Sequence, residues 1–201
     1  MIEEILNSEV KARIMKLFSK FPESQFNGKQ VAGMAKLSVS RTNESLKELA
    51  GKGILSSKRS GKGYLYKANH TNYITRVILE AFEKEKGLVD TIMKDFVSRV
   101  KKTGKIQSVA LFGSALWELK FGSDVDILVI HDGIDEDAVT VISSDLTVKY
   151  GFHISCIRMD TEEFKDKAKR AEGFVINVIA SSRAYFGKSL EEIAYRKPSQ
   201  K

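Results

Sequence analysis

The segment SVALFGSALWELKFGSDVDILVI, residues 108–130, decides the fold of the carboxy-terminal part of the chain. Its pattern predicts a strand, a Gly113-Ser114 turn, a short helix over 114–120 and a second strand. Glycine lets the backbone pass close to a ligand, and the free N–H groups at the start of the helix can hold phosphate oxygens. The segment therefore predicts an anion-binding turn between two strands.

A pair of carboxylates opens the second strand. Asp124 and Asp126 are two residues apart, so their side chains point to the same face of a strand. Two carboxylates on one face supply the hard oxygen ligands that bind Mg²⁺, and Mn²⁺ accepts the same ligands. A metal ion held by them can bridge the phosphates of a nucleotide and activate an attacking hydroxyl. The pair is thus a candidate metal-binding and catalytic site.

This order of features resembles the DNA polymerase β superfamily of nucleotidyltransferases, above all its small stand-alone members. Gly113 and Ser114 match the phosphate-binding pair of that family, and Ser123 matches the small residue before the aspartates. Asp124 and Asp126 match its two metal-binding, catalytic aspartates. The resemblance implies an α+β fold with a mixed sheet flanked by helices over residues 105–195. It also implies an NTP as substrate or ligand and Mg²⁺ or Mn²⁺ as cofactor.

The chain departs from the family pattern at the third carboxylate, which active members usually carry on a later strand. The strand predicted over residues 152–157 has no acidic residue, and its alternation leaves either His153 or Ser155 near that place. Asp145 and Asp160 flank the strand without replacing the missing acid. The sequence therefore leaves enzymatic activity open, because charge placement governs phosphoryl-type transfer.

The first 70 residues predict three helices followed by two short strands. Ser8, Asn27 and Ser38 are placed to cap the helices. Strands are predicted at 54–58 and 64–67, joined by a glycine-rich hairpin. This order predicts a winged helix-turn-helix domain over residues 1–70, whose third helix enters the major groove of DNA.

Charge supports an anionic partner for this domain, since residues 1–70 hold 13 Lys and Arg against 6 Glu. Arginine and asparagine can read base edges, and lysine reaches phosphates. The stretches VAGMAKLSVSRTNESLKELAGKGIL and SSKRSGKGYLYKAN, residues 31–69, resemble winged-helix transcription regulators of bacteria and archaea. The predicted DNA-binding residues are Ser40, Arg41, Asn43 and Lys47 on the helix and Lys58, Arg59 and Lys62 on the wing.

Residues 71–104 predict a long connecting helix, interrupted at Gly87, and residues 196–201 predict a frayed end. The single cysteine excludes an internal disulfide. No apolar run is long enough to span a membrane, and the acidic start MIEEILNSEV differs from a signal peptide, so a cytoplasmic location is expected.

Three functions fit these patterns. The first is a DNA-binding transcription regulator whose nucleotidyltransferase-type domain binds NTP and Mg²⁺, with double-stranded DNA as partner. The second is an active nucleotidyltransferase that moves an NMP group onto a hydroxyl of a protein, small molecule or nucleic acid, as an antitoxin would act on a toxin. The third is a non-catalytic interaction protein that forms a homodimer.

Overall fold

The structure, a computed structural model, describes residues 1–120 and 122–195. The chain divides into two compact units, Met1–Gly87 and Leu88–Lys201. The expected frayed end at residues 196–201 lies outside the described residues. Among the helices of the described ranges, none has both the length and the apolar character needed to cross a bilayer.

The first unit has the predicted winged helix-turn-helix architecture. Its described helices are α1 (Ile2–Ile5), α2 (Glu9–Lys20), α3 (Gly28–Ala35), α4 (Val39–Gly51) and α5 (Tyr73–Lys86). Its described strands are β1 (Phe26–Asn27), β2 (Leu55–Ser60) and β3 (Gly63–Ala68). They pair antiparallel in the order β1-β3-β2. The elements α1 and β1 are additional to the prediction, since both are too short to show a periodic pattern.

Capping residues set the starts of the helices in this unit. The Ser8 side chain accepts a hydrogen bond from the Lys11 N–H at the start of α2. Asn27 and Gln30 form a reciprocal capping box at the start of α3. Ser38 precedes α4 as predicted, but its side chain makes no capping hydrogen bond. Two of the three predicted caps are therefore confirmed in full.

A buried lysine ties α2 to α4. Lys11 is 6% exposed, its Nζ lies 2.5 Å from Glu48 Oε1, and it donates to Asn7 Oδ1 at 3.1 Å. A buried ammonium group is costly unless it is paired and hydrogen-bonded, so the contact with Glu48 holds α4 in one orientation on α2. Thr42, Leu46 and Leu49 face the core as predicted, and the opposite side of α4 is turned outward.

The second unit contains the predicted mixed sheet flanked by helices. Its described helices are α6 (Leu88–Val100), α7 (Glu136–Tyr150), α8 (Thr161–Lys169), α9 (Gly173–Ala180) and α10 (Leu190–Tyr195). Its described strands are β4 (Gly104–Phe112), β5 (Val125–Ile134), β6 (Ile154–Asp160) and β7 (Ser182–Gly187). They lie in the order β6-β5-β4-β7. β4 runs antiparallel to β5 and β7, and β5 runs parallel to β6.

Each face of this sheet carries its own core. Leu111 and Ile127 pack with Phe96 of α6 on one face. Leu128 packs with Phe164 of α8 on the other face, where α9 and α10 also contribute buried residues. Because side chains alternate along a strand, the side chain of Asp126 lies on the same face as Leu128, which is the face of α8, α9 and α10.

The expected connecting segment forms two helices, with Gly87 between them. Ile78 and Leu79 of α5 join the core of the first unit. Ile92 and Met93 of α6 join a core of the second unit. Each helix is thus an integral part of the unit in which it packs.

A single carboxylate joins α6 to α7. Asp95 accepts hydrogen bonds from Lys149 Nζ at 2.7 Å, Tyr150 OH at 3.0 Å and Arg99 Nε at 3.0 Å. The bond from Lys149, followed by those from Tyr150 and Arg99, holds the pKa of Asp95 below its usual value against the opposing effect of burial. The ionised form of Asp95 therefore stabilises the folded second unit.

We expect Asp95→Asn to lower the free energy of unfolding by about 1 kcal/mol near neutral pH. Because the folded-state pKa is depressed, this stabilisation is present above the unfolded-state pKa of about 4 and is lost as pH falls through the folded-state value. Urea unfolding of the full chain at neutral and acidic pH measures it.

The control for this prediction is Asp145→Asn, since Asp145 is 61% exposed and lies 3.6 Å from Arg99. A much smaller loss is expected there. If the loss of unfolding free energy in Asp95→Asn stays constant down to acidic pH, the assigned role of Asp95 is contradicted.

Candidate functional site

The turn after β4 lies directly against Asp126. Gly113 has a φ of +75°, and a β-carbon added to it would lie 2.3 Å from Asp126 Oδ2. The register of the sheet explains the contact, because Phe112 pairs with Asp126 across β4 and β5. A side chain at position 113 would therefore collide with the carboxylate and would also strain the backbone.

Asp126 is the second residue of β5, and Asp124 lies just before this strand. Asp126 is half-buried, whereas the Asp124 side chain is 54% exposed. Burial of Asp126, and then the negative charge of Asp124, raise the pKa of Asp126 above its usual value, and His153 partly offsets this. Positive charge between the two carboxylates would favour their ionised forms.

The structure places both residues that the sequence left open beside the aspartates. His153 Nδ1 lies 3.4 Å from Asp124 Oδ1, and the His153 carbonyl accepts a hydrogen bond from the Val125 N–H at 2.8 Å. Ser155 pairs with Asp126 in the parallel register of β5 and β6. Each residue thus faces a different aspartate, so the alternatives are not exclusive.

Asp145 and Asp160, the acids that flank the predicted strand, make contacts away from the two aspartates. Asp145 of α7 forms an ion pair with Arg99 at 3.6 Å. Asp160 caps α8 by accepting a hydrogen bond from the Glu162 N–H at 2.8 Å. In the described part of the chain, no group of three or more His, Cys, Asp or Glu side chains is arranged to hold a metal ion.

The helix expected over 114–120 is shorter in the structure. It is a 3₁₀ turn over Ser114–Leu116, and the Ser114 carbonyl accepts hydrogen bonds from the N–H groups of Trp117 and Glu118. Trp117 is 86% exposed. Ser123 is half-buried just before the aspartates. The candidate phosphate-binding element is therefore a tight turn, and the short helix expected over 114–120 was wrong in its length.

A second candidate site lies on α4 of the first unit. Ser40, Arg41 and Lys47 are exposed there. Asn43 is half-buried because its side chain lies over Gly28 at the start of α3, where an added β-carbon would be 1.8 Å from Asn43 Oδ1. The structure therefore gives Asn43 a packing contact between the two helices of the helix-turn-helix.

The hairpin of β2 and β3 carries the other predicted DNA-binding residues. Lys58, Arg59 and Lys62 are exposed, and Gly61 turns the chain with a φ of +57°. Lys58 and Arg59 are adjacent on β2, so their side chains point to opposite faces of the hairpin. Within residues 1–120 and 122–195, these cations and those of α4 form no ion pair with an acidic side chain.

Comparison with known proteins finds a relative that matches part of the chain. No model of a known protein family matches the chain. Over 97 residues, which is 47% of this chain, it is 34% identical to "Putative protein adenylyltransferase MJ0604" of Methanocaldococcus jannaschii. The match covers 94% of that protein. The alignment therefore covers nearly the whole of a smaller protein and about half of this chain.

Solved structures give weaker likenesses. A possible transcriptional regulator from Methanosarcina mazei is 24% identical, with 48% of this chain and 83% of that chain covered, at a TM-score of 0.34. A mutant of the MntA-HpeT toxin–antitoxin is 20% identical, with 53% and 80% covered, at a TM-score of 0.36.

The fold of the second unit, the glycine turn against the aspartates and the relative matched over nearly its whole length agree with one another. The fold of the first unit is seen in the structure itself. The chain belongs to the nucleotidyltransferase family that includes the Methanocaldococcus jannaschii protein, and it also carries a winged helix-turn-helix unit.

Proposed function

We propose that the first unit binds double-stranded DNA and that the second binds an NTP with a divalent metal ion. The protein would then act as a transcription regulator that carries a nucleotide site. The observation that carries DNA binding is the set of exposed cations on α4 and the β2–β3 hairpin, which no described acidic side chain neutralises. Such cations displace the counterions of a duplex when they meet its phosphates.

Contacts on the core-facing side of α4 fix the helix, so its outward side can enter the major groove of DNA. The Lys11–Glu48 pair and the Asn43–Gly28 contact hold α4 against α2 and α3. Arg41 is then free to reach base edges and Lys47 to reach bases or phosphates. The hairpin cations would contact phosphates or the minor groove beside it.

For DNA binding we expect Arg41→Ala and Lys47→Ala each to weaken affinity about tenfold. Loss of a phosphate contact should also lower the slope of log affinity against log salt by about 0.9. Fluorescence anisotropy on DNA from upstream of the protein's own gene, measured over a salt series, tests both effects.

The matched control is Lys84→Ala. Lys84 is an exposed lysine on α5 that pairs with Glu80 at 2.8 Å, so its loss should leave DNA affinity unchanged. If the unaltered protein shows no salt-dependent binding to this DNA, the proposal for the first unit fails.

The residues of the second unit fit an NTP with its metal ion. Asp124 and Asp126 supply carboxylate oxygens, and a bound cation would offset both the burial of Asp126 and its repulsion from Asp124. Gly113 lets the Asp126 carboxylate lie directly against the turn, and Ser114 begins that turn with backbone N–H groups next to the carboxylate. When bound, a divalent ion would supply charge neutralisation for the phosphates.

An active transferase is the second candidate, and the name of the Methanocaldococcus jannaschii relative favours it. In such a reaction, a hydroxyl oxygen of the acceptor forms a bond to the α-phosphorus of the NTP. The bond to the pyrophosphate group breaks, pyrophosphate leaves, and the hydroxyl proton passes to a base. His153 and Ser155 lie beside the aspartates, where active relatives place a third acid.

We expect Asp124→Asn and Asp126→Asn to abolish metal-dependent NTP binding, because each removes a negative ligand from a two-carboxylate set. Calorimetric titration with NTP in the presence of Mg²⁺ or Mn²⁺ measures this. Release of pyrophosphate and labelling of protein show whether binding leads to transfer. Asp137→Asn is the control, since Asp137 is an exposed acid on α7.

Two outcomes are decisive for these variants. Binding with turnover that both substitutions remove would establish the transferase. Full NTP affinity in Asp126→Asn would exclude the assigned site.

We expect Gly113→Ala to weaken NTP binding by at least tenfold while the second unit stays folded. The new methyl group would displace the Asp126 carboxylate and strain the positive φ at this position. Titration and circular dichroism measure the two properties. Gly33→Ala is the control, because an added β-carbon there meets no atom within 4 Å. Unchanged affinity in Gly113→Ala would show that the turn does not shape the site.

A further inference from the structure

An aromatic pair lies beside the candidate nucleotide site. Phe112 is the last residue of β4, and Phe174 lies in the first turn of α9. Their ring centroids are 5.8 Å apart at an interplanar angle of 82°, which is the favourable edge-to-face geometry. Phe112 is half-buried and packs against the core beneath α8, α9 and α10, whereas Phe174 is 42% exposed.

The register of the sheet sets this pair beside the aspartates. Phe112 pairs with Asp126 across β4 and β5, and directly opposed residues of antiparallel strands point to the same face. Cβ atoms of such a pair are about 5 Å apart, so the Phe174 ring lies on the order of 10 Å from Asp126. This separation is shorter than an extended nucleoside triphosphate.

The aromatic residue Phe112 and the candidate phosphate-binding turn are therefore adjacent in the chain. Phe112 is followed directly by Gly113 and Ser114, the candidate phosphate-binding turn. A triphosphate at this turn and the aspartates leaves its nucleoside to extend toward a neighbouring surface. Phe174 presents an exposed aromatic surface on the same side of the sheet.

We propose that Phe174 stacks on the base of the bound NTP and that Phe112 positions the Phe174 ring, which gives the site a preference for purine over pyrimidine nucleotides. This inference rests on the proposed NTP binding and names the part of the ligand that the aspartates do not reach. Aromatic stacking accepts any base, and the larger π-surface of a purine gains more from it.

The test compares ligands with and without a base. Binding of ATP, CTP and inorganic tripolyphosphate, each with Mg²⁺, is measured by calorimetry on the full chain. The unaltered protein should bind ATP more tightly than CTP. Phe174→Ala should weaken ATP binding about tenfold and leave tripolyphosphate binding unchanged.

Two more variants separate stacking from packing. Phe174→Leu keeps an apolar contact with Phe112 but removes the π-surface, so it should lose ATP affinity as Phe174→Ala does. Phe174→Trp should retain that affinity. The matched control is Phe21→Ala in the first unit. Phe21 is also 42% exposed, and it also packs edge-to-face on a phenylalanine, with its ring centroid 5.9 Å from that of Phe26 at 81°.

Each outcome decides the inference. Equal losses for ATP and tripolyphosphate in Phe174→Ala, or unchanged ATP affinity in that variant, would overturn the stacking role. Equal affinity of the unaltered protein for ATP and CTP would overturn the purine preference. If tripolyphosphate and NTPs all fail to bind to the unaltered protein, the proposed function is overturned as well, and this result is distinct from a loss confined to the base.

Discussion

The close approach of Gly113 to Asp126 is the constraint on which the candidate nucleotide site depends. Antiparallel pairing of β4 with β5 brings the end of one strand beside the start of the other. Only a residue without a β-carbon leaves the Asp126 carboxylate in place, and only glycine adopts the positive φ of this turn without strain. The turn, the aspartates and Phe112 therefore form one geometric unit.

The charges around Gly113, Asp124 and Asp126 favour a bound cation. Asp126 is half-buried and lies beside a second carboxylate, and both conditions disfavour its ionised form. His153 offsets this only in part. A cation between the carboxylates would lower the free energy of the ionised pair, and the phosphates of an NTP would complete the charge balance.

Polar contacts at buried or half-buried positions set the orientation of helices in both units. In the first unit, Lys11 and Glu48 fix the core-facing side of α4, which leaves Arg41 and Lys47 exposed. In the second unit, Asp95 joins α6 to the end of α7 on one face of the sheet. The other face of the sheet carries α8, α9 and α10, and the Asp126 side chain belongs to that face. Each unit has its own core, so each can orient its site independently.

The sequence by itself determined the winged helix-turn-helix, the Gly-Ser turn and the aspartate pair, because these depend on local periodicity, turn chemistry and the alternation of a strand. The mixed sheet of the second unit followed from the resemblance of its motifs to a known family. The caps at Ser8 and Asn27 follow from the same local rules. Only the tertiary structure decided which residues meet across strands. The parallel register of β5 and β6 puts Ser155 beside Asp126 and His153 beside Asp124, and no local pattern encodes that register. The Phe112–Phe174 pair and the contact of Asn43 with Gly28 also join residues distant in the chain. Such contacts arise from packing between elements, which the spacing of residues along one element cannot specify.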